Sequence, residues 1–362
     1  MEQAVSLTIG GDYFAFSERP ERPIRTTDFF TCVRSTLQQV AGVRNIQIDL
    51  AEEDDDWVDV PDLAELDSDY EGPHFGLVST RFDLTLSKEE QEALLRRPSR
   101  VGQTTEFRVY LTYGWITPIS CVEVRGVDGD LFVGARCVRQ HLASEFERLR
   151  TGIEYRQLPG GTLRTDMILT PAPTSSTSEF TLLEHSRPAF DRYTFGYDSS
   201  RMGGFDPVEV FINLAAGGEI DLHHQANDAR YQADRKWIAA SEAVKELREA
   251  RSTTSVSGRI KSMANSGRMI NRAALLIADA AQFAESTRAD LDRQSRAIYW
   301  SGHDTYLRPT VEDALNDFPE YPVDRLSEIV RLFETQRITN RELTAVAASS
   351  IGGGIIGAFL AG

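Results

Sequence analysis

Phe107-Arg-Val-Tyr-Leu-Thr-Tyr113 and Ile119-Ser-Cys-Val-Glu-Val-Arg125 read as two neighbouring strands, and their surroundings decide the fold class. Both runs are rich in β-branched and aromatic residues, which suit a half-buried pleated surface. Upstream, Val5 to Ile9 and Tyr13 to Phe16 flank Gly10-Gly11-Asp12, which reads as a hairpin turn. A helix is expected from about Thr27, with Phe30, Val33, Leu37 and Val40 on one face and Gly42 as its stop. Val43 to Leu50 and Phe75 to Leu86 alternate like strands, and Ser87-Lys-Glu-Glu90 is a capping box for a helix to about Arg97. Downstream, Asp128-Gly129 marks a turn into a strand at Leu131 to Val133, and a helix is expected over Val138 to Leu149. Helices interrupt the strands irregularly, so residues 1–170 read as an α+β domain rather than a parallel doubly wound sheet.

Pro171-Ala-Pro-Thr-Ser-Ser-Thr-Ser178 has nothing to bury and reads as a linker over 171–179. A small β segment is expected over 180–218, from Phe180 to Leu183, Tyr193 to Tyr197 and Val208 to Leu214, closed by Gly217-Gly218. Residues 219–342 then carry helical periodicity, clearest in Leu326, Ile329, Val330 and Phe333. This region reads as a mainly helical stalk that oligomerises.

Residues 343–362 form a tail, Leu-Thr-Ala-Val-Ala-Ala-Ser-Ser-Ile-Gly-Gly-Gly-Ile-Ile-Gly-Ala-Phe-Leu-Ala-Gly, without a charged residue. As a helix it would extend roughly 30 Å, about one hydrocarbon thickness. Ser349, Gly353 and Gly357 would let helices approach closely, and Ile355, Ile356, Phe359 and Leu360 supply apolar surface. The composition suits either assembled tails in a membrane or a segment buried between subunits. Gly352, Gly354 and Gly357 match the dinucleotide fingerprint in form only, because the chain as given has no room after them for the helix and acidic residue that motif needs.

A second unusual stretch runs from Arg251 to Arg272. Arg251, Arg259, Lys261, Arg268 and Arg272 occur there without an acid, amid serine, threonine and asparagine donors. Such a set suits a phosphate-bearing ligand (a nucleic acid, a nucleotide or a lipid headgroup) or, more blandly, a solvated helix face. Asp49 to Glu71 holds twelve acids and no base, but lacks the glycine and closing glutamate of a calcium loop, so a solvated loop is the expectation. Glu219, Asp221, His223, His224 and Asp228 gather near a helix start without a well-placed third ligand, so no metal site is expected.

The net charge of −16 opposes nucleic-acid binding over the whole surface while leaving a local basic patch open. Cys32, Cys121 and Cys137 are unclustered, as buried thiols in a reducing compartment would be. The N-terminus lacks a basic region followed by an apolar core, so a cytoplasmic chain is expected, associated with the inner membrane through its tail. There is no GxSxG elbow, no GxxxxGK[ST] loop and no catalytic constellation, so no enzyme activity and no cofactor are expected. The layout of soluble front, helical stalk and small-residue tail is similar to that of bacterial membrane effectors and toxins. The leading expectation is therefore a self-associating, pore- or channel-forming effector of a defence type, whose cytoplasmic domain senses a ligand. A soluble scaffold with the tail buried between subunits is the alternative, and an enzyme of unrecognised type the third.

Overall fold

A computed structural model describes residues 4–17, 24–50, 57–58, 78–95, 104–125, 131–158, 163, 165–172, 178–187, 191–252, 256–300 and 305–339. For 57–58, 251–252 and 256–265 it describes the backbone alone. The fold is α+β, with strands concentrated in the first two hundred residues and helices thereafter. The chain divides into two compact units, the first of residues 1–229 and 291–318 and the second of 230–290 and 319–362.

The first unit is built on one eight-stranded sheet. Its strands are β1 (Val5–Gly10), β4 (Val43–Leu50), β6 (Val78–Thr85), β7 (Glu106–Thr112), β8 (Ile119–Arg125), β10 (Thr165–Pro171), β11 (Phe180–Ser186) and β12 (Asp191–Tyr197). They lie in the order β11-β12-β10-β1-β8-β7-β6-β4. Every pairing is antiparallel except that of β10 with β12. The neighbouring strands expected at 107–113 and 119–125 are β7 and β8, paired with Val109 opposite Val122. Residues beyond 171 thus supply β11 and β12 to the same sheet that β1 belongs to, and residues 173–177 of the linker reading fall outside the described residues.

Alternation divides each strand between two faces. On one face, Phe82, Leu84, Val109, Leu111, Val122 and Val124 meet two helices, α1 (Thr26–Leu37) and α3 (Leu131–Leu149). These helices bury Phe29, Phe30, Val33 and Leu37 from α1, and Val138, Leu142 and Phe146 from α3, in the same core. Each such side chain contributes roughly 1.5–3 kcal/mol on burial. Gly42 follows α1 at φ +80°, and a Cβ there would run into the Thr85 carbonyl, so the stop requires glycine twice over. Between β6 and β7 lies α2 (Lys88–Leu94), started by the capping box of Ser87 and Glu90. The other face of the sheet is apolar towards β11, where Phe195 packs on Phe211 at 4.9 Å and on Tyr306 at 5.7 Å.

Three local expectations are corrected. Gly10-Gly11-Asp12 is not a hairpin turn: β1 pairs with β8 and β10, whereas β2 (Asp12–Phe16) leaves the main sheet to pair with β9 (Ile153–Gln157). The cause is a buried partner set, because the Asp12 N–H donates to Ser120 Oγ at 3.1 Å and Arg139 Nε donates to Asp12 Oδ2 at 2.7 Å. Gly10 gives the guanidinium its room, since a Cβ there would lie 2.5 Å from Arg139 Nη2. Leu131 to Val133 is the first turn of α3 rather than a strand. Val208 to Leu214 is helical, as α4 (Pro207–Val210) and a following π-turn (Phe211–Ala215). Asp206 caps α4 by accepting from the Val208 N–H at 2.9 Å, and Pro207 occupies the first helical position. This local chemistry outweighs the strand preference of the valines. A short ribbon of β3 (Ile24–Arg25) and β5 (Trp57–Val58) completes the strands.

Long helices dominate the rest of the chain: α5 (Gly217–Ser252), α6 (Val256–Trp300), α7 (Arg308–Asn316) and α8 (residues 323–339). In the second unit, Ala240, Val244 and Leu247 of α5 pack with Ile270, Ala273 and Ile277 of α6 and Val330 of α8. The α8 stripe of Leu326, Ile329 and Phe333 flanks that core, as its spacing predicts. Lys236 pairs with Asp279 and Glu246 with Arg272, so these segments of α5 and α6 run antiparallel.

Candidate functional site

Away from β11, the second face of the sheet stops being apolar. The registers place Leu7 of β1 opposite Glu123 of β8, Glu123 opposite Arg108 of β7, Arg108 opposite Asp83 of β6, and Asp83 opposite Arg44 of β4. One cross-strand row therefore reads apolar, acid, base, acid, base. The adjacent row runs Ile9, Cys121, Tyr110, Arg81 and Gln47. Opposite charges facing each other across strands are favourable, so the row suits the sheet as well as any ligand.

Not every charge in the row is satisfied equally. Arg108 Nε donates to Asp83 Oδ1 at 2.9 Å, and Asn45 Nδ2 donates to Asp83 Oδ2 at 2.7 Å. Burial works against the Asp83 anion, but these two hydrogen bonds and the Arg108 charge hold its carboxyl below the usual range. Burial likewise opposes the charge on Arg108, and the hydrogen bonds to Asp83 and Tyr110 with the nearby Glu123 more than restore it. Asp206, at the α4 cap, accepts from Tyr110 Oη at 2.9 Å and lies 3.7 Å from both Arg81 and Arg108. Glu209 adds a second carboxylate at 3.8 Å from Arg81.

Glu123 is the exception. It is only 4% exposed, and its Oε2 has no hydrogen-bond partner. Burial, and then the neighbouring Asp206 carboxylate, push its carboxyl above the usual range. Glu123 lines a pocket of about 570 Å³ together with Arg44, Asp83, Thr105, Arg108 and Arg125. That volume lies in the range of small-molecule sites. Arg44 is held at the rim by Thr85 Oγ1 at 2.6 Å and by Glu106 at 3.7 Å. On the opposite side, the Arg125 side chain makes no hydrogen bond or ion pair among the described residues. The pocket thus joins the exposed Arg125 guanidinium, whose charge acts on Asp83 and Glu123 without a hydrogen bond or ion pair among the described residues, and a second guanidinium, Arg44, at the rim.

The residues singled out in the sequence lie elsewhere. Arg251, Arg259 and Lys261 fall on helical stretches described by backbone alone. Arg268 is exposed on α6, and Arg272 faces Glu246 at 3.6 Å. Ser349, Gly353, Ile355, Ile356, Gly357, Phe359 and Leu360 all lie outside the described residues, as does most of the Asp49 to Glu71 acidic run. Among the described residues no group of histidines, cysteines and acids is placed to hold a metal ion. Glu219 instead accepts from the Tyr306 and Leu307 N–H groups at 2.7 and 3.0 Å, and Asp221 accepts from Thr117. Burial pushes the Cys121 and Cys137 thiols upward, which makes them poor nucleophiles. His185, Asp191, Thr310 and Tyr193 form a network in which Asp191 accepts from Thr310 at 2.9 Å and meets His185 Nε2 at 3.0 Å. Its groups satisfy one another, so it reads as structural.

The membrane reading is corrected. No helix among the described residues is long and apolar enough to cross a membrane. The long helices α5 and α6 are charged throughout, from Glu219 to Arg251 and from Arg259 to Arg296, so neither offers an uncharged span. The pore- or channel-forming effector, with its transmembrane helix, is therefore set aside. Comparison with known families, curated proteins and solved structures returns no match, and the site is read from its chemistry alone.

Proposed function

We propose that this chain is a binding protein whose sheet pocket takes a small ligand through an anionic group of the phosphate type. The observation that carries the reading is Arg125. A guanidinium without a hydrogen bond or ion pair among the described residues, on a pocket wall shared with Arg44 and Arg108, stands out in a chain of net charge −16. Acids are abundant, so an exposed pocket-lining arginine that makes no hydrogen bond or ion pair among the described residues gives an incoming oxyanion a place to bind. Guanidinium groups match phosphate and carboxylate oxygens in geometry as well as charge. The pocket has room for a ligand of about nucleotide size, whose remainder would meet Thr104, Thr105 and the aliphatic stems of the arginines. The free buried thiols Cys121 and Cys137 favour a reducing compartment, in keeping with a cytoplasmic chain.

Calorimetric titration with inorganic phosphate tests the reading. Arg125→Gln should weaken binding about tenfold or more, as expected for loss of a charge-assisted hydrogen bond. The double change Arg268→Gln, Arg272→Gln on α6 should leave it unaltered. The reverse pattern would move the ligand to the α6 strip, and equal small losses in both variants would reduce the effect to non-specific charge.

A further inference from the structure

We propose that the pocket takes a diphosphate-type group, held by Arg125 at one end and by Arg44 at the other, which displaces Glu106 from Arg44. This inference rests on the anion-binding reading and adds to it the class of ligand and the residue that selects it.

Strand order and register set three side chains in line across the sheet. Thr85 of β6 faces Glu106 of β7. Arg108 of β7 faces Glu123 of β8, and alternation puts Glu106 on the same face as Arg108 and Arg125 on the same face as Glu123. Arg44 is rooted on β4, and its Nη2 reaches over β6 to donate to Thr85 Oγ1 at 2.6 Å. The line therefore runs from the Arg44 guanidinium over β6, through Glu106 on β7, to Arg125 on β8. All three line the pocket, and each is exposed. Measured across the sheet, the Arg44 guanidinium and the root of Arg125 are two strand spacings apart, about 10 Å. Hydrogen bonds of about 2.8 Å at each end leave about 4–5 Å for the ligand, the width of two linked phosphates rather than of one.

Glu106 stands in the ligand's place. Its carboxylate is 3.7 Å from Arg44, longer than a hydrogen bond, and its side chain is 79% exposed. A pair held that loosely contributes little and opens at small cost. Of the other acids in the lining, Asp83 is committed to Arg108 and Asn45, and Glu123 is buried. Glu106 is thus the acid that an incoming anion meets. A single phosphate on Arg125 repels Glu106, and so disturbs Arg44, yet gains the hydrogen bonds of one guanidinium. A diphosphate gains both. Arg44 makes one hydrogen bond among the described residues, to Thr85, and keeps its remaining donors for the ligand. The carboxylate between the two arginines thereby selects for charge and length together.

The test is calorimetric titration of the whole chain with inorganic phosphate, pyrophosphate and adenosine diphosphate at one pH and one salt concentration. Pyrophosphate should bind about tenfold or more tightly than phosphate. Arg44→Gln should remove most of that advantage, costing pyrophosphate about tenfold and phosphate clearly less. Glu106→Gln should tighten pyrophosphate binding about two- to fivefold, the worth of an exposed ion pair. Both side chains are exposed, so the two substitutions spare the core. The double change Arg268→Gln, Arg272→Gln on α6 should keep the pyrophosphate advantage. Adenosine diphosphate distinguishes an esterified ligand from a bare one: the tighter of the two is the better mimic, and both must lose affinity in Arg44→Gln. Equal affinity for phosphate and pyrophosphate, equal losses of the two in Arg44→Gln, or a Glu106→Gln variant without gain overturns this inference and leaves the anion-binding reading standing. Absence of binding by all three ligands overturns both.

Discussion

Arg108 on β7 stands between two carboxylates, Asp83 on β6 and Glu123 on β8, and commits its Nε to Asp83 at 2.9 Å. That choice leaves Glu123 Oε2 buried without a hydrogen-bond partner inside a row of alternating charges. Asn45 reinforces it from β4, because its hydrogen bond to the other Asp83 oxygen helps to hold that carboxyl in the ionised form that pairs with Arg108. Asn45 itself sits at φ +55°, in the irregular stretch between Arg44 and Gln47 where the register shifts. Asparagine tolerates that conformation better than most residues, so the kink that aims it at Asp83 comes at small cost.

The first expectation concerns the stability contributed by Glu123. Its folded carboxyl binds its proton more tightly than an unfolded one, so its contribution is present at low pH and is lost as pH rises through the raised value. Glu123→Gln removes that loss. Urea denaturation should show the variant close to the parent in acid and gaining on it steadily towards alkaline pH. A constant difference across pH would mean that Glu123 is ionised in the folded chain throughout.

Asp12 and Arg139 form the pair on which the path of β2 depends. Asp12 is fully buried, and it receives both Arg139 Nε at 2.7 Å and Ser120 Oγ at 2.5 Å. Asp12→Ala would leave a buried guanidinium without its counter-charge, which costs about 3–5 kcal/mol. Replacing Asp12 and Arg139 together by apolar residues should cost less than the single change. Chemical denaturation of the two variants checks this, and equal destabilisation would show that packing, not charge, dominates the site.

His223 and His224 near the start of α5 should make the protein acid-sensitive. Burial holds His223 down to about 4, and burial together with the His223 charge holds His224 down to about 3. Both rings are neutral in the folded chain and become charged on unfolding below their usual value near 6.5. The unfolded state therefore binds more protons, and stability falls as pH drops from there, by up to about 1.4 kcal/mol per pH unit for each ring. Glu219 and Asp221, whose carboxyls burial pushes upward, act in the opposite sense, so the comparison is between variant and parent at each pH. His224→Phe should shallow the acid loss, and an unchanged acid midpoint would contradict the buried neutral ring.

Much of the fold was legible because it is local. The α1 face of Phe30, Val33 and Leu37, the Ser87 capping box and the α8 stripe each occupy a few consecutive turns, and each formed where its spacing placed it. The failures lie where distant residues decide. Gly10-Gly11 looks like a hairpin until Arg139, more than a hundred residues away, claims the space. Val208 to Val210 look like strand residues until Asp206 caps them. The pocket was illegible for the same reason. Arg44, Asp83, Arg108 and Glu123 were each visible as a charge within a strand, but only strand order and register bring them into one row. The basic strip of α6 stands out in the sequence because its charges are close together, whereas Arg125 carries no such local signal.

The most direct test reads the arginine side chains themselves. In a nitrogen-15-labelled sample titrated with phosphate at slightly acidic pH, the Nε–Hε resonances of Arg125 and Arg44 should move together along one saturating curve. Arg268 on α6, exposed and remote in sequence, should remain still. Saturating movement of Arg268 with Arg125 and Arg44 unmoved would contradict the account and place the anion on the helical strip instead.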